Sequence, residues 1–437
     1  MQPMTKILTL ALITVLLCNC EKEDSDIEFN DINFQSYLLR NGFDKNKDGR
    51  ISAEEAAEVR SIDISYSYIK NMSELKAFVN LDTLICEGNV LTALDVSGNK
   101  NLSYLDCSYN LLNSLDLTNN TALKYVNCSY NKIYELKIKE TTSLVNLKCE
   151  ENLIANLDLS NKPMLEVLLC HSNRLSSLDI LGNTKLKIMD CSENRLLSLD
   201  ISNNPLITEL NCSFNILASF DLSAQEALLK LDCSSNLILT SLNLSNNPLL
   251  TELRCAGDSL TTLDLSNQPA LIVLDCSYNK LGNLDISENT SLKELNYSAN
   301  SLSTLDISNH TQLTSLICSS NQLTYLDISA NKSLNSVDCE YNQLTNLDIS
   351  WNTSLNYLNC AFNMLTSLDV SNNSILEWLI CSGNPIVSLD LTNNTSLRVL
   401  GIENMASINL VCVNEIPWTL WAEGSPNADI STNCNDK

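Results

Sequence analysis

Basic residues are scarce. The 437-residue chain has 27 Lys and Arg against 52 Asp and Glu, a formal net charge of −25. Phosphate backbones are held by clustered Lys and Arg, so nucleic acid is excluded as a partner. Direct docking on an anionic lipid surface is excluded on the same ground. Histidine is nearly absent, with His171 and His310 alone. His171 follows Cys170, and strand alternation sends the two side chains to opposite faces, so they form no thiol–imidazole pair. There is no G-x-S-x-G, phosphate loop or H-E-x-x-H. Glycine (10) and proline (8) are also few. The chain is read as non-enzymatic.

What is present is a period. Cysteines fall at 86, 107, 128, 149, 170, 191, 212 and 233, then 255 and 276, then 318, 339, 360 and 381. Tyr297 and Ile402 fill the same slot where cysteine is missing. A chain of this length would ordinarily divide into two or three domains. A fixed period of about 21 residues instead means a solenoid, in which each turn stacks on its neighbours. Apolar residues alternate across Leu105-Asp106-Cys107 and again across Leu115-Asp116-Leu117. Period 2 is the mark of a strand, with Leu105 and Cys107 inward. Little room remains for helix between strands, so one face is expected to be strand and the other extended or short strand.

Three residues after each cysteine stands an asparagine, from Asn89 through Asn236 and from Asn279 to Asn384. A side-chain amide both donates and accepts, so this column suits backbone groups left free at each bend. Asp258 breaks it, and Cys233 to Cys255 spans 22 residues. The extra residue, between Asn236 and Leu239, is expected to be absorbed as a bulge in one irregular turn. The cysteines admit three readings. Neighbours about 4.8 Å apart on parallel strands sit wide for a disulfide. A straight column does not converge on a metal. The favoured reading is a small buried hydrophobe.

The pattern L-x-x-L-x-C-x-x-N-x-L resembles the leucine-rich repeat, with cysteine in the third apolar slot. The resemblance covers residues 62–405 and is nearest to bacterial surface proteins of the internalin-like kind. It implies a curved right-handed coil with a parallel sheet on its concave side, and a role in protein binding or adhesion. The expected fold is a leucine-rich repeat solenoid of parallel β-structure with short 21-residue turns and little helix. A small helical EF-hand-like cap (31–61) precedes it, and a C-terminal cap (406–437) follows.

Residues 1–19 read as a lipoprotein signal peptide: Lys6, then an apolar run from Ile7 to Leu17 too short to span a bilayer well. Leu17-Cys18-Asn19-Cys20 resembles a lipobox, which implies acylation of Cys20. The acidic linker (20–30) opens Glu21-Lys22-Glu23-Asp24, similar to a signal for the outer face of the outer membrane. The expected location is therefore the outer membrane, lipid-anchored and facing outward, with membrane contact through the lipid only. Residues 44–55 carry the EF-hand pattern at every diagnostic position. Asp44, Asn46 and Asp48 offer side-chain oxygens, Gly49 the sharp turn and Arg50 its carbonyl. Ser52 acts through water, and Glu55 supplies the bidentate carboxylate. One Ca2+ site is expected, structural in role, because a sensor usually has paired loops.

Two surface patterns remain. Asp95, Asp116, Asp158, Asp179, Asp200, Asp221 and others through Asp390 share one column, interrupted by Lys137 and Asn243. It reads as a solvated ridge or as a docking strip for cations or a basic partner. Tyr104, Tyr125, Tyr357 and Trp378 stand three before the cysteine, on the expected concave sheet. Tyr109, Tyr130, Phe214, Tyr278, Tyr341 and Phe362 stand two after it. Such aromatics serve either as binding anchors or as cross-strand stacks. Cys412 and Cys434 lie outside the period and are expected to pair, closing the end of the coil for about 3 kcal/mol. The expected function is recognition of a protein through the concave face. A glycan partner, and a structural envelope spacer, are the alternatives.

Overall fold

A computed structural model of the chain describes residues 26–417 and 419–432. The expected signal segment, Cys20 and Cys434 lie outside the described residues. Each turn enters the same short strand, in which alternate residues are buried: Leu210 and Cys212 point in while Glu209 and Asn211 face out. Eighteen such strands, from Ser61–Asp63 to Thr419–Trp421, stack in one parallel sheet in chain order. Equivalent positions pair directly, as Glu209 with Lys230 and Leu210 with Leu231. The second half of each turn is extended. It becomes strand where Ser114–Asp116 meets Glu135–Lys137, and where Ser388–Leu391, Leu410–Val413 and Asp429–Ser431 form a second small sheet. Helix among the described residues is limited to α1 (Ile32–Arg40), α2 (Ala53–Glu58) and one 3-10 turn (Ser73–Ala77). The chain is thus a leucine-rich repeat solenoid with little helix.

Rows of leucine and isoleucine line the inside as one continuous core, and the cysteines run through it. All fourteen from Cys86 to Cys381 are buried and free. Burial raises every one of their thiol pKa values, from Cys86 through Cys212 to Cys381, so none is a nucleophile at neutral pH. The column behaves as a file of small hydrophobes.

The asparagines bind successive turns together. Asn194 Nδ2 donates to the carbonyls of Cys170 (3.0 Å), Cys191 (3.2 Å) and Ser192 (3.0 Å). Its Oδ1 accepts from Leu175 N–H at 2.9 Å. Both ends of the amide are therefore spent on backbone that would otherwise be orphaned. A second buried row stands at the far bend. Asn204 Nδ2 donates to the carbonyls of Ile180 (3.0 Å) and Asn183 (2.9 Å), while its Oδ1 has no partner. Lys162 occupies this row too, its Nζ donating to the carbonyls of Lys139 and Ser160 at 3.0 Å. His310 fills another rung, Nε2 lying 3.1 Å from Ile286 O.

The irregular turn lies where the 22-residue spacing puts it. Leu239 N–H folds back on Asn236 O at 2.8 Å, and Leu237 and Ile238 are pushed into solvent. Asp258 accepts from Asn236 N–H at 2.7 Å, and its other oxygen has no partner. Burial pushes this carboxyl up to about 8, helped by Asp232.

Both ends are tied in. Asp31 caps α1 through the amides of Asn33 (2.8 Å) and Phe34 (3.1 Å) and also accepts from Lys70 N–H at 2.6 Å on the coil. At the other end the coil outruns residue 405. Thr419–Trp421 pairs with Val399–Gly401, adding a strand to the long sheet after a spacing of 20 residues. The segment expected as C-terminal cap thus contributes a further strand to the long sheet, in a turn that carries neither the cysteine nor the asparagine.

Candidate functional site: the outer face of the long sheet

The outward side chains form columns that differ from turn to turn, over a scaffold that does not. In the middle the two basic side chains of the face are held in ion pairs, among the further carboxylates Asp190, Asp232, Asp275 and Glu294. Lys230 Nζ meets Glu209 at 3.4 Å, and Arg254 Nε meets Glu252 at 2.8 Å. Exposed pairs of this kind contribute about 0–1 kcal/mol each.

The four aromatics picked out from the sequence meet as two pairs. Tyr104 and Tyr125 stack face to face, centroids 4.2 Å apart and planes 2° from parallel. Lys148 Nζ stands 5.8 Å from the Tyr125 centroid. This pair is largely satisfied from within, as cross-strand stacking would have it. Tyr357 and Trp378 are looser, 6.5 Å apart and tilted by 39°, and Trp378 keeps 42% of its surface exposed. Sequence reasoning missed their neighbour. The extra turn brings Trp421 onto the face, 39% exposed, in register with Gly401 and, one strand further, Ile380. A Cβ on Gly401 would lie 3.0 Å from Ile380 Cγ2 and 3.3 Å from Trp421 Cε3. The bare backbone there lets these two side chains close into one surface. Beside them sit Asp338, whose carboxyl burial pushes up, and Glu340, which accepts from Asn359 Nδ2 at 3.0 Å.

The second aromatic series has an unexpected backbone. Tyr109, Tyr130, Phe214, Tyr278, Tyr341 and Phe362 all hold φ between 51° and 53°. That left-handed conformation costs an L-residue about 1–2 kcal/mol. Tyr109 stacks on Tyr130 at 4.3 Å and Tyr341 on Phe362 at 4.5 Å, and the Phe362 ring in turn overlies Gly383, which needs φ +68°. Stacking along the coil offsets part of the strain.

The aspartate column lies on the other side of the turn. Asp200 Oδ1 accepts from Ser202 N–H at 3.0 Å, and the pattern recurs down the column. The hydroxyl and amide two residues on hold carboxyls such as Asp95, Asp158, Asp200 and Asp348 below their usual range, so the ridge stays ionised. Lys137 bridges it, 3.6 Å from Asp116 and 3.5 Å from Glu135.

The EF-hand loop is wound around its own acids. Asp44 Oδ1 accepts from Lys47 N–H (2.6 Å) and Oδ2 from Gly49 N–H (2.9 Å), with Gly49 at φ +87°. Asn46 Oδ1 accepts from Asp48 N–H (2.9 Å), and Asp48 Oδ1 from Arg50 N–H (2.9 Å). Glu55 folds back to accept from Lys45 N–H (2.6 Å) and Ser52 N–H (2.9 Å). Burial alone would raise the Glu55 pKa, but the amides of Ser52, Asn46 and Lys45 hold it below the usual range. Ser52 also caps α2. Where a paired loop would sit, Ile27 N–H donates to Ile51 O at 2.8 Å, and Arg50 pairs with Asp26. The donors are hard oxygens suited to Ca2+. Among the described residues, no three Asp, Glu, His or Cys side chains converge as a metal cage. Cys412 is disulfide-bonded, and its expected partner Cys434 lies outside the described residues.

One cluster has the components of a hydrolytic relay. His171 Nδ1 lies 3.1 Å from Ser172 Oγ, which donates to Glu193 at 3.0 Å. The acid holds the hydroxyl and not the imidazole, so the order needed to orient a general base is absent.

Among solved structures, the functional domain of InlJ from Listeria monocytogenes, described as including a cysteine ladder, is 33% identical with a TM-score of 0.70, over 84% of this chain and 77% of that one. YopM from Yersinia enterocolitica shares 21% identity and a TM-score of 0.68 over 94% and 97% of the two chains. A plant peptide hormone receptor, RGFR1, in complex with RGF2 shares 21% identity and a TM-score of 0.68 over 87% and 73%. The last two show likeness of fold alone. No family model matches the chain, and no curated protein does.

Proposed function

Because the chain belongs to the internalin-like leucine-rich repeat proteins, we propose that it is a non-enzymatic cell-surface protein that recognises a protein partner through the face of its long sheet. The observation that carries this is the contrast within each turn. Inward positions are nearly invariant, while the outward positions of eighteen in-register strands vary freely. An extended surface of that kind is how a solenoid presents a binding site. The neighbouring structure holding a peptide hormone uses the same fold. A glycan partner is less favoured, because Tyr104 and Tyr125 are stacked on each other and offer edges where a sugar ring would want an open aromatic face.

In this reading Cys20 carries the lipid and the protein stands on the outer face of the outer membrane. Asp44, Asn46, Asp48 and Glu55, with the Arg50 carbonyl and Ser52, would hold one Ca2+. When bound, the ion would fasten the loop to the start of the coil and take no part in recognition. The test is photocrosslinking on intact cells from position 357, against position 348 on the other side of the turn. Protein adducts from 357 alone are expected, with loss of surface protein on external proteolysis. Equal adducts from both positions, or capture on a glycan array without any protein adduct, would overturn the proposal.

A further inference from the structure

We infer that the C-terminal end of the sheet face, built by Trp378, Ile380 and Trp421, docks a basic protein segment that carries an aromatic or aliphatic anchor. This rests on the protein-recognition reading above and names where the partner sits and what it is made of.

The location follows from what the rest of the face has already spent. The middle is polar, with its Lys230 and Arg254 held in ion pairs and no aromatic side chain on its strands, and the N-terminal tyrosines cover one another beneath Lys148. Only at the far end do two large indoles remain about two-fifths exposed, at 42% and 39%. They belong to strands two apart. On the strand between, Gly401 lies in register with Ile380 and Trp421, and both side chains lean over it, 3.0 and 3.3 Å from where a Cβ would stand. The result is one apolar surface spanning three turns and bordered by polar groups. Trp is among the residues enriched at interface hot spots.

Charge decides the partner. Around this end of the face stand five acidic residues, Asp338, Glu340, Glu377, Glu403 and Glu423, and one basic residue, Arg398. Arg398 is paired with Glu377 at 3.3 Å. Glu403 and Glu423 follow the strands that carry Gly401 and Trp421, and Asp338 and Glu340 lie in and just after the strand before Tyr357. An acidic partner would be repelled, and a purely apolar one would leave these carboxylates to be desolvated unpaired. A segment with Lys or Arg around a Trp, Phe or Leu satisfies both.

The probe is a phage library of random dodecapeptides selected on the full chain, followed by anisotropy titration of the best synthetic peptide. Expected is enrichment in Lys and Arg with an apolar anchor, and affinity that falls with salt. Trp378→Ala or Trp421→Ala should weaken binding at least about tenfold. Trp378→Phe should retain most of it, and Tyr104→Ala all of it. Glu340→Gln with Glu403→Gln should weaken binding at low salt only. Thermal melts of each variant separate lost contact from lost fold. Neutral or acidic winners, or equal affinity in Trp378→Ala, would overturn the inference. Dependence on Tyr104 and Tyr125 instead would overturn this site while leaving protein recognition standing. No enriched peptide, together with glycan capture, would overturn both.

Discussion

Asp258→Asn should make the protein more stable, and more so as pH rises. From Asn89 to Asn384 every other occupant of that column is an asparagine that donates two or three hydrogen bonds to backbone carbonyls of the cysteine row and its neighbours. Asp258 has no amide to donate such bonds: ionised it only accepts, and its second oxygen has no partner. Its side chain is 6% exposed. The folded carboxyl titrates near 8 against 3.8 for the free group, so between those values the folded chain holds a proton that the unfolded chain has released. Stability then falls as pH climbs through this window and levels off above it. Each unit is worth about 1.4 kcal/mol, and after local relaxation the loss near pH 8 is about 2–4 kcal/mol. Asparagine removes the loss and restores the missing donors, for about 1 kcal/mol more. The assay is urea unfolding by circular dichroism at about pH 5 and about pH 8.5. Hydrogen exchange of peptides spanning 230–262 supplies the local readout. The variant should gain a little at the lower pH and several-fold more at the higher. An equal gain at both, or a less stable variant, would refute the reasoning.

Glu55→Ala should abolish a rise in melting temperature that Ca2+ gives the N-terminal end in the wild type, with peptide binding unchanged in both. Absence of any chelator-sensitive shift in the wild type would count against the metal. Lys137→Asp exchanges two ion-pair contacts for a like-charge row and should cost about 0.5–1 kcal/mol at low salt. Denaturation at high ionic strength should recover most of that loss, and an equal loss under both conditions would show that packing, not charge, is at work.

The coil was legible because its determinants repeat. Cysteine and asparagine recur in phase, and hydrophobic alternation fixed which side of each strand turns inward. The irregular turn was legible for the same reason, since one extra residue shifts everything after it. What escaped was whatever lacked the mark. The turn that ends in Trp421 has alanine in the cysteine slot and no asparagine, so only the pairing of Thr419–Trp421 with Val399–Gly401 reveals it. With it went the best-exposed end of the sheet face. Lys162 was missed because a lysine in a row of amides looks like solvent-facing charge, yet its stem is buried and its ammonium reaches the carbonyls of Lys139 and Ser160, neighbours of those an asparagine would meet. The left-handed backbone beneath Tyr109 and its equivalents is hidden by aromatics, which seldom accept it; its signal is the glycine that takes the same slot at 88, 257 and 383, each at positive φ.

The asparagine row also sets how the molecule carries load. Each amide rivets a turn to the one before it, so a pull on the two ends is borne by identical fasteners in series. A chain of equal links parts at its weakest. Here that is the joint between Asn236 and Asp258, where a carboxyl with one oxygen left without a partner replaces the amide rivet. Stretched, the rod should open first near its middle, yielding two shorter coils that remain wound.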